Sequence, residues 1–185
     1  MNSGQTLLTI LAMTLFSLTI LTVNKNSLNN GTILRQTELG IYAVSLATSY
    51  VQKAKSMDFD EKTLSGLAIS LPMTSPTASL LTATTLLGVD AGETANKDDT
   101  YDDFDDYKGF NKDTLIVGAD HFRVFGDVYY VRMGTPYDRV AGPTWLKQID
   151  IKVNTSISRN VFETYQTSTT GTDTIKMHYI KSFYY

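Results

Sequence analysis

Residues 7–23, LLTILAMTLFSLTILTV, carry no charge, and the first charged side chain in the chain is Lys25. A run of this kind lies at the short end of what crosses a hydrocarbon core, for which roughly 17–25 residues are needed. It must therefore be hidden in lipid, covered by protein, or removed. Removal fits poorly. A secretory signal has a basic start and a small-residue cleavage site, whereas no Lys or Arg precedes the run and LTVNKNSLNN follows it. Hydroxyls at Thr14, Ser17, Thr19 and Thr22 interrupt the apolar side chains. In a helix they can bond back to a carbonyl one turn earlier, or across to a neighbouring helix for about 1 kcal/mol or less. Two readings follow: a single-pass membrane anchor, or a helix that leaves the membrane to pack against copies of itself.

The residues that follow favour packing. NKNSLNNGT, residues 24–32, is rich in Asn and carries Gly31, so its intrinsic helix propensity is low. A weakened or locally extended helix is expected at residues 24–31. Helical patterning then resumes. Leu39, Ala43, Leu46, Ala47, Tyr50, Val51 and Ala54 recur at spacings of three and four, one apolar stripe on a helix. If continuous over residues 5–56, the helix is about 75–80 Å long at 1.5 Å per residue. The chain thus divides into residues 1–56, a helix apolar in its first half and amphipathic in its second, and residues 57–185.

That second region reads as a β-rich head. LSGLAISLPMTSPTASLLTATTLLGVDAGE is a loop-rich segment with two prolines. HFRVFGDVYYVRM is β-branched and aromatic, with a turn expected at Gly126-Asp127. In WLKQIDIKVNT, Ile149, Ile151 and Val153 alternate with polar residues, as in a half-buried antiparallel strand. The last segment suggests a hairpin turning near Gly171, with Ile175, Met177 and Tyr179 on one face. Strands in a run after a helix, rather than alternating with helices, give the α+β class: a long amino-terminal helix packed on an antiparallel sheet. The many tyrosines, ending in SFYY, are read as core and cross-strand residues.

Little here points to catalysis. The chain has no Cys, which excludes disulfides, thiolate metal sites, iron–sulfur clusters and covalent c-type haem. Only two histidines occur. His121 follows Asp120, but neighbours on a strand face opposite ways, and His178 has no evident partner, so both are read as structural. No phosphate loop, nucleophile elbow or zinc spacing is present, and a net charge of -3 leaves no basic nucleic-acid footprint. The expectation is a protein that is not an enzyme, has no obligatory cofactor and does not bind nucleic acid. The one cluster with chemical character is DDTYDDFDDYKGF. It places Asp102, Asp103, Asp105 and Asp106 just after Asp98 and Asp99. Dense oxygen ligands suit Ca²⁺, which accepts 6–8 of them in irregular geometry. The alternative is a solvated acidic loop anchored by Phe104, Tyr107 and Phe110.

GQTLLT, from Gly4 to Thr9, resembles the processing-site signature of type IV pilins and pseudopilins: Gly, an often aromatic residue, then Thr-Leu-Ile-Glu. LATSYVQKAKSMDFDEKT, YDDFDDYKGF and WLKQIDIKV are similar to segments of minor pilins of the mannose-sensitive haemagglutinin type. The resemblance implies a structural subunit of an extracellular, cell-surface filament. Such a subunit is held in the inner membrane before assembly and polymerises with copies of itself by bundling its apolar helices. The implied assembly contacts are Leu7, Leu8, Thr9, Leu11, Leu15, Phe16, Leu18 and Ile20. Alternatives are a minor pilin, a type II secretion pseudopilin, or a membrane-anchored adhesin that does not polymerise. The resemblance also implies cleavage between Gly4 and Gln5. The chain departs from the pattern here: the leader has no basic residue, and Thr9 stands where the family usually has Glu. Cleavage would leave a positive amine in the apolar stretch with no carboxylate to receive it, which is costly. Retention of residues 1–4 is the expectation.

Overall fold

The computed structural model describes residues 3–64, 75–116, 121–134, 136–155 and 174–183. The expected turn at Gly171, Asp120 beside His121, residues 1–2 and the last two tyrosines lie outside them. Helix α1 spans Ser3–Ser56 without a break. The weak point expected at residues 24–31 is absent, since all eight are helical. Helix cooperativity outweighs local propensity there. Once helix exists on both sides, each residue meets only its propagation cost, at most about 1 kcal/mol for Gly relative to Ala, and no proline removes a donor.

The chain divides into two compact units, Met1–Gly40 and Ile41–Tyr185. In the second unit, the last turns of α1 pack into the head. Ala43, Ala47, Tyr50 and Ala54 of the expected stripe are buried, as is Leu39 at its start, while Leu46 and Val51 are half-buried. Two short helices, α2 (Glu61–Leu64) and α3 (Ser75–Ala78), and a 3₁₀ turn at Asp105–Tyr107 lie between α1 and the sheet strands in sequence. The architecture is α+β.

The sheet contains β1 (Asn111–Leu115), β2 (His121–Arg132), β3 (Asp138–Arg139), β4 (Leu146–Thr155) and β5 (Thr174–Ser182). All pairings are antiparallel, in the order β1-β2-β4-β5, with β3 also beside β2. Period-two alternation sets the buried face. Three cross-strand rows cover it: Val124–Val153–Ile175, Gly126–Ile151–Met177 and Val128–Ile149–Tyr179. Ile149, Ile151 and Val153 are fully buried, as their alternation predicts. At one end of the sheet Phe59, Ala78, Leu81, Leu87, Tyr130 and Trp145 form a compact apolar cluster.

The turn expected at Gly126-Asp127 does not form, because β2 runs straight through both residues. The glycine serves a close approach instead. A Cβ at Gly126 would lie 2.6 Å from the Tyr107 carbonyl oxygen. The chain at 107–110 crosses the strand at this point, with Gly126 N donating to the Phe110 carbonyl (2.9 Å) and Gly109 N to the Gly126 carbonyl (3.1 Å). Gly126 thereby seats the acidic turn on the sheet.

Candidate functional site

Two features of the fold carry chemical consequence, one in each compact unit. In the first unit the large apolar side chains from Leu7 to Leu34 are exposed on every side of the helix, from Ile20 at 48% to Leu28 at 74%. All eight expected assembly residues fall in this unit, and Gly4 and Gln5 are exposed in its first turns. Residues 3–24 make a charge-free rod of about 33 Å, close to the thickness of a bilayer core. Its mean hydropathy reaches 2.1 over an 18-residue window. The hydroxyls do not spoil it. Thr9 donates to the Gln5 carbonyl (2.8 Å), Thr14 to Leu11 (2.8 Å), Ser17 to Met13 (2.9 Å), Thr19 to Leu15 (2.8 Å) and Thr22 to Leu18 (2.9 Å). Every one of these protons is thus spent inside the helix, where an unbonded hydroxyl in an apolar medium would be costly. This long apolar amino-terminal helix is compatible with membrane insertion.

The second feature is the acidic turn at residues 101–110. Its aromatic residues are core anchors, as expected: Phe104, Tyr107 and Phe110 are buried. Tyr107 and Phe110 pack with Tyr50 of α1 and with Tyr101, ring centroids lying 5.3–6.4 Å apart, a range suited to edge-on aromatic contact. The acids are not solvated, however. Asp103, Asp105 and Asp106 are all at most 1% exposed, and only Asp102 faces outward. The anchors bring their neighbours in with them, because the 3₁₀ turn alternates ring and carboxylate too tightly to separate them.

The turn holds itself together through these carboxylates. Asp103 Oδ1 accepts from the backbone N–H of Asp105 (2.7 Å) and Asp106 (3.3 Å). Asp106 Oδ2 accepts in return from Asp102 N (3.2 Å) and Asp103 N (3.0 Å). The second oxygen of each, Asp103 Oδ2 and Asp106 Oδ1, is buried without a hydrogen-bond partner. Burial, reinforced by nearby Asp105, pushes Asp103 up to about 9. Burial and the adjoining Glu93 carboxylate push Asp106 up to about 8. Burial also raises Asp102 and Glu61, and so do the acids around them.

The fold regroups the acids that the sequence places together. Asp102 and Asp106 join Glu93, and Asp103 joins Glu61 and Asp90. Within each trio a carboxylate oxygen from every residue lies within 4.8 Å of the others. Asp105 turns away to Lys147. Asp98 bridges Lys53 of α1, at 2.6 Å, and Lys112 of β1, and Asp99 lies 4.0 Å from Lys97 on the surface. Glu61 is far from the Asp run in sequence, and Asp90 and Glu93 precede it without belonging to it, so spacing does not single them out.

Beneath the acids lie two buried lysines. Lys147 and Lys181 extend the inward register of β4 and β5, in one row with Tyr130. Lys147 is fully buried and donates to Asp60 Oδ2 (2.8 Å), the Phe59 carbonyl (2.8 Å) and Asp105 Oδ1. Asp60 also accepts from Thr82 Oγ1 (2.8 Å) and Lys62 N (3.1 Å). Burial by itself would raise Asp60, but Lys147 and these donors hold it below the usual carboxylate range. Lys181 donates to the carbonyls of Lys55, Met57 and Asp58, where α1 ends and its last carbonyls lack helical partners. Both lysines were legible as inward by the alternation that placed Ile149 and Tyr179, yet their type argued for the surface.

The histidines occupy edge and outer positions. Both are exposed, His121 opposite Leu115 and His178 opposite Asp150. Among the described tyrosines Tyr50, Tyr101, Tyr107 and Tyr130 are core residues. Compared with family models, with curated proteins and with solved structures, the chain gives no match.

Proposed function

We propose that the protein is a pilin-like structural subunit whose amino-terminal helix is stored in a membrane and then bundled with copies of itself in an extracellular filament. The observation that carries this reading is the helix over residues 3–24, uncharged and exposed on all sides, joined without a break to turns that pack into a β head. In lipid its backbone and hydroxyl groups are satisfied internally. In a bundle the same surface would be covered by neighbouring helices. A head-to-tail contact that does not close gives an open helical polymer. The resemblance at GQTLLT to the pilin processing signature adds support, and no catalytic group is called for. Leu7, Leu8, Thr9, Leu11, Leu15, Phe16, Leu18 and Ile20 would form the contact.

The apolar character on every face equally favours a second reading, a single-pass anchor for a surface head that stays monomeric. Electron microscopy of material sheared from the cell surface separates the two. Uniform fibres labelled by an antibody to the head support the filament. Leu15→Asp should then abolish them, because an unpaired carboxylate among packed helices is costly. Fibres unchanged in that variant would refute the core contact, and a head found only in the membrane fraction would favour the anchor. Mass spectrometry of the assembled protein tests the ends: an amino-terminal peptide starting at Gln5 would reject retention of residues 1–4.

A further inference from the structure

The carboxylate trios of the head present a problem that the filament reading does not touch. Glu93, Asp102 and Asp106 point their oxygens at one another within 4.8 Å. Like charges so placed repel unless a proton or a cation lies between them. The nearby lysines described above are engaged elsewhere, Lys147 with Asp60 and Asp105, Lys53 and Lys112 with Asp98. Asp106 is 1% exposed and its Oδ1 has no hydrogen-bond partner. A buried orphan acceptor of this kind is rare in a folded protein and calls for an explanation such as an ion.

We propose that Glu93, Asp102 and Asp106 form a Ca²⁺ site, with the unpartnered Oδ1 of Asp106 as its buried ligand. The three differ in exposure in the way an entry path requires. Asp106 is the floor, Glu93 is half-buried, and Asp102 faces solvent, so water can complete the 6–8 oxygen shell that Ca²⁺ takes. The ligands are held in place before the ion arrives. Glu93 Oε1 accepts from Asp102 N (3.1 Å) and Oε2 from Asp90 N (3.0 Å), while Asp106 Oδ2 is fixed by the N–H groups of Asp102 and Asp103. All three ligands are hard oxygens in an irregular loop, an arrangement that suits Ca²⁺ better than Mg²⁺, which demands a near-ideal octahedron. Glu61, Asp90 and Asp103 form the adjoining trio and deepen the negative potential that draws the ion in.

The test uses the full chain, purified in detergent and stripped with a chelator. CaCl₂ titration should give a saturable heat and raise the melting temperature of the head. Tb³⁺, a Ca²⁺ surrogate, should show luminescence sensitised by Tyr101, the residue next to Asp102, and Ca²⁺ should quench it. Asp106→Asn should weaken Ca²⁺ by roughly tenfold or more, since charge count sets affinity in such sites. Should that variant fail to fold, the outward-facing Asp102→Asn tests the same point. Asp113→Asn, outside the trio and paired with Arg123, should leave affinity unchanged. No Ca²⁺-dependent heat or melting shift would overturn the proposal. So would a loss of affinity in Asp113→Asn equal to that in Asp102→Asn, or a shift produced by Mg²⁺ and not by Ca²⁺. None of these outcomes depends on whether filaments form.

Discussion

The first forty residues and the head invert each other. From Leu7 to Leu34 the helix holds its leucines and isoleucines outside, and the head holds aspartates and lysines inside. Each arrangement is unfavourable for an isolated chain in water, but for opposite reasons. Exposed apolar area costs about 25 cal/mol per Å², a non-directional term that any apolar surroundings remove. Buried charge costs several kcal/mol per ion unless specific partners are in place. The helix therefore tolerates a change of neighbours, whereas the head does not tolerate the loss of a partner to a fully buried charge.

Substitutions can break that contrast, starting with the most severe. Lys147→Met leaves Asp105 buried without its cation and removes one partner of Asp60. The expected loss is about 3–5 kcal/mol, the range for removing one member of a buried pair. Denaturant unfolding followed by the emission of Trp145, the only tryptophan, measures it. A change under 1 kcal/mol would mean that the two aspartates do not need the lysine. Leu11→Lys tests the other side of the contrast. A charge at the centre of a span disfavours insertion by about 3 kcal/mol, so the protein should shift out of the alkaline-resistant membrane fraction. Unfolding of its head should be unaltered, and a destabilised head would show that the two regions are not independent.

Gly126→Ala is the next smaller step. Its methyl would meet the Tyr107 carbonyl at 2.6 Å, and overpacking of this sort costs about 1–3 kcal/mol. The loss should appear in the same Trp145 assay, and an unchanged midpoint would remove the close approach as the reason for the glycine. Asp98→Asn has the smallest effect, below about 1 kcal/mol, because Lys53 and Lys112 are each 39% exposed and solvent screens them. Its pH dependence is more telling than its size. Burial raises the Asp98 pKa, but the two lysines outweigh that and leave it below the ordinary value. Its contribution is therefore complete above the unfolded pKa of about 3.9. It is lost as pH falls through the lower folded value. The variant and the parent should differ at neutral pH and converge in strong acid.

What the sequence reveals follows the same division. The apolar stripe of α1, the alternation in β4 and the inward residues of β5 were all readable, because burial of apolar side chains leaves a period in the chain. Three features were not. Residues 24–31 look weak one by one, but helix cooperativity is a property of the flanks. Gly126 reads as a turn, because a glycine in a strand gives no sign of what crosses it. Lys147 and Lys181 lie in register with the core, and only the position of Asp60, Asp105 and the end of α1 in three dimensions makes them acceptable there. The candidate Ca²⁺ ligands divide likewise. Asp102 and Asp106 stand out in the Asp run, whereas Glu93 joins them only through the fold.

The spent hydroxyls of the amino-terminal helix have a consequence for alignment. A polar group on an otherwise greasy rod usually acts as an index mark, fixing how far one rod may slide or rotate against another. Here those marks are erased, since the donor protons of Thr9, Thr14, Ser17, Thr19 and Thr22 all point back into their own helix. Any pitch or rotation such rods adopt together must then be dictated by the fit of side-chain shapes, or by heads that carry directional contacts of their own.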